Sequence, residues 1–526
     1  MNILFIWPSR DQFGFKPMGI ALLSAILKRK GHDVELFDTT FFDFKHASTT
    51  EARDKLRIFK PINWSGYNVQ KTEADPHKAL EEHINRFQPG LVCVSALSDE
   101  IELGLQLSRT AKDVTGGAVA VVWGGKAATM NPFRVLKDSD VNGVCRGEGL
   151  HFLPELVRCL DNYEMHMHLP NMGYRLDINA LGQDEYKLNP IAPYFRDLDG
   201  LPYFDWSIFD DRQFLKPYDG KVLRGGDHMI YWGCPNECTY CINKSWRELY
   251  NNEGAFLRHY SVDRIIDELE YLSKEYKLEF WKFHDEDFCL KPIAYFEELA
   301  KKYKERVGLP FTAMANCKNI TVTRAKLLKE MGCVSISVGI ETGNEDLRKH
   351  VLKRCETKDD ILNGIRRLNN EGIRTSAFNL LGIPGETRET IMETIELNRQ
   401  SGVQYPNAGF FFPLDNTELK KIAVQQGLYD PKEGRAYSNE RPCLSLPTIS
   451  EEELIALRDR FVLYIKLPEE YHRYIKRSEK DDQNGREMLK VLQLYYEETV
   501  FANDGTYKPH PLEKQYKESC EILMHE

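Results

Sequence analysis

Three cysteines fall in the run Gly233-Cys234-Pro235-Asn236-Glu237-Cys238-Thr239-Tyr240-Cys241. A chain that brings three thiolates to one centre must present this stretch as a loop held firmly on both sides. The CxxxCxxC spacing can supply three ligands to a cubic four-iron cluster and leave the fourth iron open to a substrate or cofactor. A zinc knuckle would want a fourth Cys or His at similar spacing, and a disulfide would want an even count. No neighbour provides that fourth ligand. His228 precedes Cys234 by six residues, inside the apolar run His228-Met229-Ile230-Tyr231-Trp232, which reads as a buried strand entering the loop. The cluster is therefore preferred to zinc.

At 526 residues the chain exceeds what one hydrophobic core organises, so several domains are expected. The patterning divides it into 1–160, a linker over 161–222, a second folded unit over 223–415 and a helical region over 416–526. A net charge of −10 gives no signature for a polyanion, and nucleic acid is not an expected partner. No segment approaches the roughly 20 apolar residues of a membrane span. The opening Met1-Asn2-Ile3-Leu4-Phe5-Ile6-Trp7-Pro8 is too short for a signal peptide. Twelve cysteines without an export signal point to a reducing cytoplasm, which suits an oxygen-sensitive cluster.

The fold class expected is α/β. Residues 1–160 alternate short apolar runs with helical patterns, the mark of a doubly wound, Rossmann-like parallel sheet. Strands are expected at 3–7, 34–38, 91–97, 118–123 and 143–145, a first helix at 20–30, and an insertion at 41–77. Ligands of such sheets lie beyond the carboxyl ends of the strands. Four loops stand there: Lys16-Pro17-Met18-Gly19, Ser95-Ala96-Leu97-Ser98, Gly124-Gly125-Lys126 and Arg146-Gly147-Glu148-Gly149. A lone Gly-Gly would signify only a tight turn.

Residues 161–222 read as an irregular but ordered linker rich in Pro, Asp and aromatics. Beyond it, six strand–helix units run to about Pro413, with strands expected at 228–233, 279–285, 311–316, 334–341, 374–381 and 408–412. Six such units make a partial TIM-type barrel with its site at the carboxyl ends of the strands. Polar groups gather at those ends: Asp285 and Glu286 after the second strand, Asn316 after the third, Glu341 after the fourth, and Gly382-Ile383-Pro384-Gly385 after the fifth. Amphipathic helices are expected at 451–464 and 486–501, and Cys93, Cys145, Cys159, Cys289, Cys333, Cys355, Cys443 and Cys520 are read as core thiols.

The cysteine run, with an aromatic Tyr240 before the last cysteine, resembles the signature of the radical S-adenosylmethionine (SAM) superfamily. That resemblance implies a 4Fe-4S cluster on Cys234, Cys238 and Cys241, with SAM chelating the open iron and cleaving to a 5′-deoxyadenosyl radical. It places Asp285 or Glu286 against the SAM ammonium and Glu341 near the ribose or amine. Gly382, Pro384 and Gly385 would lie against adenine, and Asn316 stands where relatives often carry arginine. The four front loops, in their order, resemble the cobalamin-binding domain that precedes many radical SAM enzymes. By that likeness Pro17, Met18, Gly19, Ser95, Ala96, Leu97, Gly124, Gly125, Arg146, Gly147 and Glu148 would surround the corrin. The Asp-x-His-x-x-Gly motif that supplies a lower histidine to cobalt is absent, since Asp11-Gln12-Phe13-Gly14 has neither its histidine nor its spacing.

Together the two resemblances imply a methyltransferase that moves a methyl group from SAM through methylcobalamin to an unactivated carbon, or phosphorus, of a small molecule. An electron donor such as flavodoxin or ferredoxin is implied as partner. The alternatives are a cobalamin-dependent cyclase or rearrangement enzyme without methylation, and an iron–sulfur binding or electron-transfer protein whose front domain is a scaffold.

Overall fold

Strand β1 (Asn2–Trp7) is buried from Ile3 onward on both faces, which requires a sheet covered by helices on two sides. Around it stand β2 (Asp33–Asp38), β3 (Leu91–Ser95), β4 (Ala120–Gly124) and β5 (Gly143–Cys145), all parallel. Helix Met18–Arg29 follows β1 directly, with Pro17 at its start, and Gly31 takes φ +87° just past its end. This computed structural model describes residues 1–10, 13–45, 60, 62–176, 185–251, 256–432 and 440–525; Asp11 and Gln12, and residues 46–59 and 61 of the expected insertion, lie outside the described residues.

The expected linker is not irregular throughout. It supplies β6 (Met172–Leu176) and β7 (Glu185–Leu188), which extend the front sheet antiparallel to the order β2-β1-β3-β4-β5-β6-β7. It also supplies β8 (Leu215–Tyr218), an antiparallel edge for the second sheet. Strands of four or five residues with half-exposed faces carry too little hydrophobic contrast to read from sequence.

The second sheet is ordered β16-β15-β14-β13-β12-β9-β8. Its first parallel strand is β9 (Lys221–His228), which ends at His228 instead of starting there. The expected 228–233 strand shrinks to β10 (Tyr231–Trp232), paired with β11 (Arg258–His259) in a separate ladder. The glycines of β9 hid it. A Cβ on Gly226 would meet Trp281 at 2.6 Å and Trp206 at 2.7 Å, so only glycine lets these rings pack against the strand. The other parallel strands are β12 (Phe280–Phe283), β13 (Phe311–Met314), β14 (Cys333–Glu341), β15 (Arg374–Leu381) and β16 (Tyr405–Phe410). The sheet curls into a half-barrel with helices outside.

Helices Glu451–Lys466, Gln483–Thr499 and Glu513–His525 follow the sheet. Phe461, Tyr471 and Tyr495 share one apolar cluster with Leu381, Tyr405 and Phe410, so these helices cover the β15–β16 side. Among the described residues no helix is long and apolar enough to cross a membrane.

The two sheets are joined by charges taken out of water. Glu148, in the turn after β5, pairs with Arg258 of β11 through Oε2 at 3.1 Å and Oε1 at 2.5 Å, and also accepts from Phe195 N at 2.9 Å. Lys16, just before the first helix, lies 3.0 Å from Asp227 of β9, both side chains fully buried. Gly147 has φ +82°, and a Cβ there would fall 2.4 Å from the Tyr250 hydroxyl. That hydroxyl accepts from Glu148 N at 2.8 Å, so the turn sits directly against the helix that follows the cysteines.

Candidate functional site

The cysteine loop leaves β10 at Gly233, whose φ of +96° and close approach to Phe256 O exclude any side chain. It ends at Cys241, the cap of helix Ile242–Leu249. Arg247 on that helix donates to Pro235 O at 3.1 Å and Asn236 O at 3.0 Å. Thr239 donates to Leu352 O and Val351 O, and Leu419 N donates to Thr239 O at 2.9 Å. The loop is thus pinned from three directions before anything binds.

Asp285 anchors its base. This fully buried carboxylate accepts from Ile230 N at 3.0 Å and Tyr231 N at 2.9 Å, and pairs with buried Lys291 at 2.7 Å. Of the two acids expected near a SAM ammonium, Asp285 is therefore committed to the loop. Glu286, the next residue, is exposed and acts electrostatically on Cys234 and Cys241. Asp287 turns inward, accepting from Asn319 at 2.6 Å. Burial raises its carboxyl to about 6.

Burial pushes the Cys234 thiol up to about 12 and the Cys238 thiol up to about 11, and Cys241 upward as well. Cys234 and Cys238 also feel the charge of Cys241. Among the described residues no three Cys, His, Asp or Glu side chains converge as a single ion requires. A four-iron cluster is a body with several metal atoms, so its three thiolates need not converge on one point. Binding such a cationic body supplies the field that turns buried thiols into thiolates. His228 stays apart from the triad, buried against Glu268 at 3.4 Å and stacked on Phe204.

Beside Cys238 lies a network that the sequence did not announce. Arg354 donates to the Tyr240 hydroxyl at 2.7 Å and to Gly339 O at 2.9 Å, and pairs with Glu341 at 3.4 Å and with Glu356. Glu341 has φ +62°, a strained conformation for a glutamate at the end of a strand. Gly339 makes the room: a Cβ there would fall 2.3 Å from Glu341 Oε1. Burial raises the Glu341 carboxyl, with Arg354 opposing that rise. Arg354 also opposes the rise that burial imposes on the Cys238 thiol.

The remaining strand ends hold turns. Asn316 Oδ1 accepts from Lys318 N at 3.0 Å and caps the short helix after β13. Gly382 and Gly385 take φ +79° and +81° around buried Pro384. Glu386, fully buried, accepts from Gly382 N; burial raises its carboxyl to about 8. Cys355, expected in the core, is exposed, with Sγ 3.7 Å from Asn236 Oδ1 on the cysteine loop.

In the front domain, Ser95, Gly124 and Gly125 meet where β3 and β4 end. Gly125 has φ +78°, and a Cβ there would strike Ser95 Oγ at 2.8 Å. Ala96 O accepts from Ala127 N at 3.1 Å, while Leu97 begins the following turn. Nothing lies within 4 Å of a Cβ built on Gly19 or Gly124, so a large flat ligand could approach the backbone closely there. Arg146 has a buried Nε without a partner among the described residues. It lines a 410 Å³ cavity with Met130, Arg134, Ser245, Asn416 and Lys421, drawn from both halves of the chain. Glu148, by contrast, is occupied by Arg258 and holds the halves together. Lys126 of the glycine loop acts electrostatically on Cys241, so the front loops stand beside the cysteine loop.

Residues 230–397 match the Radical SAM superfamily. The chain is 22% identical over 490 residues to an uncharacterised methyltransferase of Pyrococcus horikoshii, covering 91% of this chain and 94% of the relative. It is 23% identical over 449 residues to the cytidylyl-2-hydroxyethylphosphonate methyltransferase of Streptomyces wedmorensis, covering 79% of each. Among solved structures, the cobalamin-dependent S-adenosylmethionine radical enzyme OxsB, with aqua-cobalamin and SAM bound, superposes with a TM-score of 0.65 at 13% identity. That superposition covers 100% of this chain and 75% of OxsB. Residues 230–397 thus match the radical SAM domain, and the chain as a whole shares its fold with OxsB.

Proposed function

We propose that this protein is a cobalamin-dependent radical SAM methyltransferase that places a methyl group on an unactivated carbon, or on phosphorus, of a small molecule. The observation that carries this reading is the seating of the front domain's Arg146–Gly149 turn against the helix that follows the cysteine loop, where Glu148 N donates to the Tyr250 hydroxyl at 2.8 Å. Two relatives named as methyltransferases, matched over most of their length, support it.

When bound, the cluster and SAM supply a carbon radical and the corrin carries the methyl group. The chain's own work is to hold these groups and keep water out. Cys234, Cys238 and Cys241 hold the cluster, and Asp285 fixes the loop that presents them. Glu286 offers its carboxylate to the SAM ammonium. Tyr240, Glu341 and Arg354 form the wall beside Cys238, and the Gly382–Gly385 turn brings backbone close to the nucleoside. Gly19, Gly124 and Gly125 let the corrin approach the front sheet, and Arg146 presents an unpaired N–H to it. A flavodoxin or ferredoxin delivers the electron.

Anaerobic reconstitution with iron, sulfide and hydroxocobalamin tests the reading. Roughly one cobalt and four irons per chain after desalting, the stoichiometry of one corrin and one four-iron cluster, are expected. Four irons without retained cobalt would reduce the front domain to a scaffold. Within the same preparation, Arg354→Met is expected to keep its iron but bind SAM at least about tenfold more weakly, because hydrogen bonds of a charged donor are lost from a buried wall. Equilibrium dialysis with labelled SAM measures this; unchanged affinity would remove Arg354 from the SAM site.

A further inference from the structure

Side chains of β14, β15 and β16 alternate between the helices outside the half-barrel and the space within it. On β15, Ala377 and Leu381 pack into the cores beneath the helices, and Asn379 accepts from Asn398 of helix Arg388–Ser401 at 2.8 Å. Ser376 and Phe378 therefore face inward. By the same alternation, outward Ile336 and Val338 leave Ser337 and Gly339 inside, and outward Ala408 and Phe410 leave Asn407 and Gly409 inside. The parallel registers set Gly339, Phe378 and Asn407 side by side, with Ser337 and Ser376 in the layer before them. Those two hydroxyls bond to one another at 2.7 Å.

Phe378 is 42% exposed although it lies in mid-strand, flanked on both sides by paired strands. Its neighbours explain why. Gly339 has no side chain to cover the ring, and nothing lies within 4 Å of a Cβ built on Gly409. A phenyl face left open inside a barrel marks a surface that a ligand covers. Asn407 gives its backbone carbonyl to Asn379 at 3.0 Å, whereas its half-buried side-chain amide has no hydrogen-bond partner among the described residues. That amide offers both an N–H and a carbonyl oxygen. Charge around this wall is matched or distant. Glu341 and Arg354, which stand over Gly339, pair with one another at 3.4 Å. Arg374, at the start of β15, meets Asp219 at 3.2 Å. Lys282 lies on β12, three strands from Phe378 and roughly 14 Å along the sheet. An anion laid on the Phe378 ring would lose its water without gaining a partner.

We propose that Phe378 and Asn407 recognise the methyl acceptor: a flat, uncharged ring stacks on the Phe378 face, and the Asn407 amide bonds an N–H and a C=O on the edge of that ring. Gly409 leaves the space the ring occupies. The Gly382–Gly385 turn, assigned above to the nucleoside of SAM, begins four residues beyond Phe378, roughly 13 Å along an extended chain. Acceptor ring and adenine therefore have separate places. This rests on the methyltransferase reading above and narrows its substrate to an aromatic or conjugated ring with a hydrogen-bonding edge.

The test uses the reconstituted holoprotein with SAM and four probes. 2-Quinolone is flat and carries adjacent N–H and C=O groups; quinoline lacks both, 2-piperidone keeps them without an aromatic face, and quinoline-2-carboxylate adds a charge. Calorimetric titration of the wild type is expected to show 2-quinolone binding about tenfold more tightly than each of the others, because an aromatic stack and an amide hydrogen bond each contribute on that scale. Phe378→Leu is expected to lose the preference over 2-piperidone and keep that over quinoline. Asn407→Leu is expected to do the reverse. No binding of 2-quinolone at millimolar concentration, equal wild-type affinities, or preferences that survive the substitutions would overturn the proposal. So would a loss of SAM affinity in either variant, which would give this wall to the nucleoside. Iron, cobalt and 5′-deoxyadenosine formation are scored on the same samples. Their absence from the wild type would instead sink the methyltransferase reading.

Discussion

Cys238→Ala is expected to yield protein that retains no four-iron cluster after reconstitution and forms no measurable 5′-deoxyadenosine. Cys238 is the most buried of the three, 8% exposed, and lies beside Tyr240 and Arg354. Its neighbours are fixed by contacts with Val351, Leu352 and Leu419, so another residue has little freedom to take its place. With two ligands left, the cluster loses the geometry on which an open fourth site depends. Cys289→Ala is the matched control. Its thiol is equally out of water but packs in the barrel core, and its loss should cost modest stability while iron content and SAM cleavage stay intact. Iron analysis and chromatography of the nucleoside product measure both. The reverse pattern would overturn the ligand assignment.

Asp227→Ala is expected to destabilise the protein by about 3–5 kcal/mol, the cost of leaving buried charge without its partner. Among the described residues Asp227 is the acid that acts on Lys16 and Lys216, each of which is almost entirely out of water. Burial already lowers Lys216 to about 7 with the carboxylate present. Without it both lysines fall further, while in the unfolded chain they keep their ordinary value. The folded variant then binds fewer protons than the unfolded one, so its stability should rise with pH, and do so from a lower pH than in the wild type. Urea midpoints measured between pH 6 and pH 9 check both the size and the sign. A variant as stable as the wild type, with a flat profile, would mean that water reaches this cluster.

Sequence reading recovered the parts of this protein that depend on neighbours along the chain. The cysteine spacing states its chemistry because three thiolates around a cube need few intervening residues. Gly125 and Gly147 mark turns whose positive φ restricts the residue type. The long β14 and β15 carry enough apolar alternation to show their extent, and the expected 374–381 strand matches β15 end to end. What escaped was set by partners distant in sequence. Glu148 reads as a ligand-loop acid until Arg258, 110 residues away, is seen to occupy it. Asp285 and Glu286 are interchangeable on paper, and only the backbone N–H groups of Ile230 and Tyr231 decide which one is spent. Arg354 lies in an unremarkable charged stretch, and its role comes from a fold that carries it to Tyr240, 114 residues earlier. His284 is held by Asp227, which sits on a strand that two glycines concealed. Local backbone conformation and ligand spacing are short-range properties, whereas a charge takes its function from what folding places beside it. The type of chemistry was therefore legible in the sequence, and the assignment of each acid and base to it was decided by tertiary structure.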